Sequence, residues 1–138
     1  MAGNSASCNF TITVTGSNRC PLGSGFWKSH PSLWPVSQLT LGTNTYSKTQ
    51  LLSILNNPTM ADASVILARE LIATLLNEAN GSNPCPISST VADANRLIDG
   101  VPIPSNVKTS STTGKAMLRD ANLLDNYNLG GMTVGCTP

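Results

Sequence analysis

One stretch of eleven residues, Gly25–Pro35 with sequence GFWKSHPSLWP, holds the only histidine of the chain and both of its tryptophans. Three chemistries are open to such a set. His30 could serve a serine nucleophile as general base, His30 could ligate a metal, and Trp27 or Trp34 could stack on a sugar or a partner surface. Each needs companions. No serine sits in a G-x-S-x-G elbow. A Ser/His pair also needs an orienting acid, and the chain has only seven acidic residues. Five of them, Asp62, Glu70, Glu78, Asp93 and Asp99, fall on or beside expected helices, where solvated positions are expected. Glu70 and Glu78 are two helical turns apart, an ordinary surface spacing. One histidine and scattered carboxylates give no metal-ligand spacing, and none of the four cysteines forms a C-x-x-C pair. The run GSGF at Gly23–Phe26 has no strand before it and no Lys-Ser/Thr after it, so it is no phosphate loop. No enzymatic activity, metal or cofactor is therefore expected.

The same residues read more simply as packing. Aromatics are only 4% of the chain, so few other large side chains exist to fill a core. Prolines after His30 and Trp34 forbid one continuous helix through the segment. The expectation is a tight turn that lays both indoles against neighbouring helices, with His30 hydrogen-bonded to backbone. Two functional readings stand beside it. One is a carbohydrate- or surface-protein-binding module with Trp27 or Trp34 as its platform; the other is a hydrolase centred on His30.

The elements that must position this segment are mostly helical. Ser47–Gln50 reads as an S-x-x-Q capping box opening a short helix with Leu51, Leu52, Ile54 and Leu55, stopped at NNP. A long central helix spans about Ala61–Ala79, with Ala61, Val65, Ala68, Ile72, Leu75, Leu76 and Ala79 on one apolar stripe and Asn80-Gly81 as its stop. Ser89 is expected to cap a third helix, about Thr90–Ile98. A fourth runs from about Thr113 to Asn126, with Tyr127 near its end and Gly130-Gly131 breaking it. Residues 101–113 read as an extended loop. Leu39–Ser47 reads as a short hairpin around Gly42–Asn44. Upstream, CNFTITVT at 8–15 alternates strictly, with Cys8, Phe10, Ile12 and Val14 on one face, which is the period of a half-buried strand. The fold class is thus mainly α: a small four-helix domain, residues 20–138, with an N-terminal strand segment, residues 1–19, and a short hairpin.

Composition narrows the partners and the compartment. Charged residues make up 11% and the formal net charge is +1, which leaves no basic face for nucleic acid or for an anionic membrane surface. No segment has the apolar length of a membrane span. Four widely spaced cysteines flanked by Pro, Gly and Ser fit disulfides in an oxidising, extracellular compartment. Three pairings exist. We favour Cys20–Cys136, which brackets the helical region, leaving Cys8 for Cys85 or for another chain. MAGNSASC lacks the basic start and apolar stretch of a signal peptide, so Met1 is read as marking a fragment. Two glycosylation sequons, at Asn9 and Asn80, are short enough to arise by chance.

GFWKSHPSLWPVSQLTLGTNTYSKTQLLSIL resembles a GYWKNHP…WP…LTLG module of secreted, multi-domain bacterial proteins. The likeness continues through ARELIATLLNEANG, Ala68–Gly81, and returns at LLDNYNLGG, Leu123–Gly131, before Cys136. Phe26 stands for the family's Tyr and Ser29 for its Asn. The resemblance implies secretion and a helical unit closed by a terminal disulfide, and it carries no catalytic residues. NSASCNFTITVTG is similar to the last strand of a hyalin-type immunoglobulin-like repeat. Such a strand is either the remnant of a divided sandwich or a donor that completes a neighbour's sheet. Donation in one direction would build a filament from copies of the chain, or join it to a neighbouring immunoglobulin-like domain.

Overall fold

The computed structural model describes residues 19–58 and 61–136. The expected strand with Cys8, Phe10, Ile12 and Val14, and the sequon at Asn9, lie outside the described residues. In chain order the elements are α1 (Ser24–Ser29), a 3-10 turn (Pro31–Leu33), β1 (Gln38–Leu41), β2 (Asn44–Ser47), α2 (Lys48–Asn56), α3 (Ala63–Ala79), a second 3-10 turn (Cys85–Ile87), α4 (Ser88–Ile98) and α5 (Thr112–Asn128). Among the described residues the class is as expected: four helices of nine residues or more, one antiparallel hairpin and a disulfide between Cys20 and Cys136.

Local chemistry accounts for the boundaries. Ser47 Oγ accepts from Gln50 N while Gln50 Oε1 accepts from Ser47 N, so the capping box is closed in both directions. Gly42 turns the hairpin at φ +64, and Leu41 pairs with Asn44 across the two-residue turn. Gly81, at φ +104, ends α3 where the sequence placed the stop.

Three boundaries differ from expectation. Ala61 is exposed with φ +62, and α3 begins only at Ala63, because Asp62 is its N-cap. Ser89 does not cap α4; the Cys85–Ile87 turn runs into that helix and Ser89 lies inside it. The cap of α5 is Ser111, whose Oγ accepts from Gly114 N.

The core surrounds α3. Leu67, Leu71, Ile72 and Leu76 of α3 are fully enclosed with Leu51 and Leu55 of α2, Ile87, Ala94 of α4, and Met117, Leu124 and Tyr127 of α5. The expected stripe was displaced at both ends: Ala61 and Ala79 are exposed, while Ala63, Ser64, Thr74 and Asn77 are buried. Helices α3 and α5 run parallel. Asp62 and Lys108 bridge at their starts, and Asn77 meets Asn128 at their ends.

Candidate functional site

The tryptophan motif forms a helix and a turn rather than an irregular loop. Pro31 opens the 3-10 turn at a position whose N–H needs no partner, so it redirects the chain after α1 instead of dissolving structure. Trp27 is 1% exposed and Trp34 8%. Both indole N–H groups are used internally. Trp27 Nε1 donates to Asn77 Oδ1 at 3.0 Å, and Trp34 Nε1 donates to the Trp27 carbonyl at 2.8 Å. Phe26 packs edge-on to Trp27, with ring centroids 5.2 Å apart.

His30 stands outside this plug. It is exposed, stacks on Phe26 with centroids 4.3 Å apart, and donates through Nδ1 to the Phe26 carbonyl at 2.9 Å. That is the backbone bond expected of it. Among the described residues no carboxylate reaches His30, and no serine is paired with it. A shallow groove of about 620 Å³ runs along Trp34, Pro35, Val36, Ser37, Gln38 and Lys48, with Lys48 Nζ 5.6 Å from the Trp34 ring centre. It contains no histidine, carboxylate or cysteine. No group of three His, Cys, Asp or Glu fit to hold a metal occurs among the described residues. No helix among them is long and apolar enough to cross a membrane.

The plug rests on a buried polar network that sequence reasoning missed. Asn77, fully buried, donates to the Leu22 carbonyl and to Asn128 Oδ1, and accepts from Leu22 N and Trp27 Nε1. All the capacity of one amide side chain is used. Asn128 Nδ2 donates to the Glu70 carbonyl and to Glu70 Oε1, and the single Thr74 hydroxyl proton is shared between Glu70 O at 2.9 Å and Asn128 Oδ1 at 3.0 Å. Burial raises the Glu70 pKa above the ordinary range despite the Asn128 bond. The available signal was Glu70, Thr74 and Asn77, at i, i+4 and i+7 on one face of a largely apolar helix.

A second network pins the 101–111 loop. Asp62 Oδ1 accepts from Ser64 N, Ser64 Oγ and Val107 N, and Oδ2 accepts from Ser105 N and Asn106 N. Burial alone would raise the Asp62 pKa, but the bonds from the Ser64 hydroxyl and from the Asn106, Val107 and Ser64 amides outweigh it and lower the group below its ordinary value. The acids expected on solvated helix positions therefore divide. Asp62 is buried and Glu70 and Glu78 are partly so, because each lies where a helix turns toward a neighbour; Asp99 is exposed as expected, bonded to Thr43 Oγ1. Burial pushes Glu78 up to about 7. Tyr127, enclosed beside it, donates to the Asn83 carbonyl at 2.6 Å and is raised by burial and then by the Glu78 charge.

The disulfide completes the picture. Cys20 and Cys136 close 116 residues of sequence separation, and no described cysteine is free. Cys85 is also disulfide-bonded, whereas Cys8 lies outside the described residues. Fold and site together define a disulfide-stapled helical module whose two tryptophans are interior packing, with His30 at the surface. No protein-family model, curated protein or solved structure matches the chain.

Proposed function

We propose that the chain is an extracellular, non-enzymatic structural module whose helical body anchors the strand-forming segment 8–15 for assembly with copies of itself or an immunoglobulin-like neighbour. The observation that carries this reading is the clamp at the base of that segment. Arg19 N donates to Gly81 O, Ser82 Oγ donates to Arg19 O at 2.8 Å, Leu22 bonds twice to Asn77, and Cys20 is covalently tied to Cys136. Tension or leverage arriving along residues 8–18 would thus pass into the end of α3 rather than peel a loose terminus. The resemblance to a secreted bacterial module and to a hyalin-type strand supports the same reading. So does the burial of Trp27 and Trp34, whose indole N–H groups both bond within the chain.

Size-exclusion chromatography with light scattering and negative-stain microscopy test it on the full chain and on a chain lacking residues 1–15. Ordered oligomers or fibres that vanish with the deletion are expected. A monomer that the deletion leaves unchanged ends the assembly reading. Peptide mapping without reductant then separates a bridge from Cys8 to another chain from a Cys8–Cys85 bridge within one self-contained unit.

A further inference from the structure

At the α4–α5 contact two carboxyl groups meet. Asp120 of α5 is 2% exposed; its Oδ1 is 3.5 Å from Arg119 Nε, and its Oδ2 is enclosed with no hydrogen-bond donor in reach among the described residues. An ionised oxygen in that position would be buried without compensation. Facing it from α4, Asp93 is partly exposed and accepts from three nitrogens. Arg96 Nη2 and Nε donate to Oδ1 at 2.6 and 3.1 Å, and Arg119 Nη2 donates to Oδ2 at 3.3 Å. Arg119 reaches both groups, its Nη2 3.3 Å from Asp93 Oδ2 and its Nε 3.5 Å from Asp120 Oδ1, so the two carboxyls lie against one another across the contact. Two carboxyl groups can bond only if one of them carries a proton.

We propose that Asp93 and Asp120 share one proton, carried by Asp120, and that this proton is an acid-closed latch between α4 and α5. It gives the orphaned Asp120 oxygen a bond, and it needs no group beyond those present. Burial pushes Asp120 up to about 6, and the neighbouring Asp93 reinforces the shift. Asp93 moves the other way, first through its bond to Asp120 and then through Arg96, so the proton belongs to Asp120. The charged groups acting on Asp120 are Asp93 across the interface and Arg119 beside it; Arg96 acts through Asp93. Helix α3 also packs on α5, but its ionisable groups act elsewhere: Arg69 on Glu70, Glu70 on Asn128 and Ser24, Glu78 on Tyr127. The Cys85–Ile87 turn adds only a bonded cysteine.

The folded chain holds the Asp120 proton more tightly than an unfolded one, whose pKa is near 3.8. The contribution of Asp120 is therefore complete below that value and lost as pH rises through about 6. The contribution of Asp93 has the opposite sign, present above the ordinary carboxylate range and lost as pH falls through its lowered value. The latch proton is held in mild acid and lost toward neutrality, and its stabilisation of the α4–α5 contact goes with it.

Titration of the side-chain carboxyl carbons by NMR on the full chain tests this directly. Asp120 is expected to titrate near pH 6 with a concurrent shift at Asp93; an Asp120 midpoint near 3.8 overturns the proposal. Asp120→Asn gives a second readout, because its amide donates to Asp93 at every pH. Its thermal midpoint should fall less than the wild type's between about pH 5 and pH 7.5, and exceed it at the upper end. An Asp120→Asn chain with the wild-type pH slope also overturns the latch. Should that variant not fold, the wild-type titration decides alone.

Discussion

At the scale of single residues, Asn77 and His30 make opposite predictions although His30 was the more conspicuous in sequence. Asn77→Ala would leave Trp27 Nε1 and the Leu22 N–H and carbonyl without partners inside the body. Each unpaired buried group costs about 1–3 kcal/mol, so a loss of roughly 3 kcal/mol or more is expected by urea denaturation. His30→Ala removes one exposed stacking contact and one bond to its own α1, so a change within about 1 kcal/mol is expected in the same assay. A larger effect there would mean that the imidazole does more than stack. Glu78→Gln addresses charge. Because burial raises Glu78 to about 7, its neutral form is the one the fold prefers, and stability falls as pH rises through that value. The glutamine variant should therefore melt higher than wild type at pH 8 and about equally at pH 5. Asp62 has the reverse sign: its hydrogen-bonded carboxylate stabilises above the ordinary range, and that contribution is lost as pH falls through its lowered pKa.

At the scale of elements, the hairpin turn is the sharpest test of local geometry. Gly42 has φ +64, and a Cβ there would lie 2.8 Å from the Asp99 Cα. Gly42→Ala meets backbone strain and a backbone clash together, so a loss of about 2 kcal/mol or more is expected from thermal melts. The four longer helices and this hairpin were legible because apolar periodicity and capping signals are local. The box Ser47–Gln50 lies within one turn, and the stripe of α3 repeats over four. The start of α3 and the cap of α4 were read incorrectly: Asp62 caps a helix read from Ala61, and α4 has no side-chain cap because the Cys85–Ile87 turn leads straight into it. Asp62 won over Ala61 because the backbone of Ser105–Val107 comes to it from more than forty residues away. The Asn77 network was not legible for the same reason: its partners Leu22, Trp27 and Asn128 are 50 or more residues distant. An isolated asparagine in a helix reads as surface until the fold brings donors to it. The burial of Trp27 and Trp34 was legible, but the form of their segment was not, because proline at the first position of a turn looks in sequence like a breaker.

At the scale of the whole molecule, the Cys20–Cys136 staple and the polar clamp beside it act on different states of the chain. The clamp, from Arg19 and Leu22 to Gly81, Ser82 and Asn77, exists only when the body is folded. The disulfide also constrains the unfolded chain, by closing a loop of 116 residues in sequence separation. In the chain-entropy account such a loop is worth about 4–5 kcal/mol, which corresponds to a fall in melting temperature of roughly 10–20 °C for a body of this size. Cys20→Ser/Cys136→Ser should show that fall while its tryptophan emission below the transition stays blue-shifted, because Trp27 and Trp34 are held by Asn77 and by each other rather than by the sulfur bridge. A double serine variant whose emission is already red-shifted at low temperature would show that the staple maintains the native plug and does not act mainly through the unfolded state. A variant with unchanged melting temperature would show that the clamp alone carries the closure of the body.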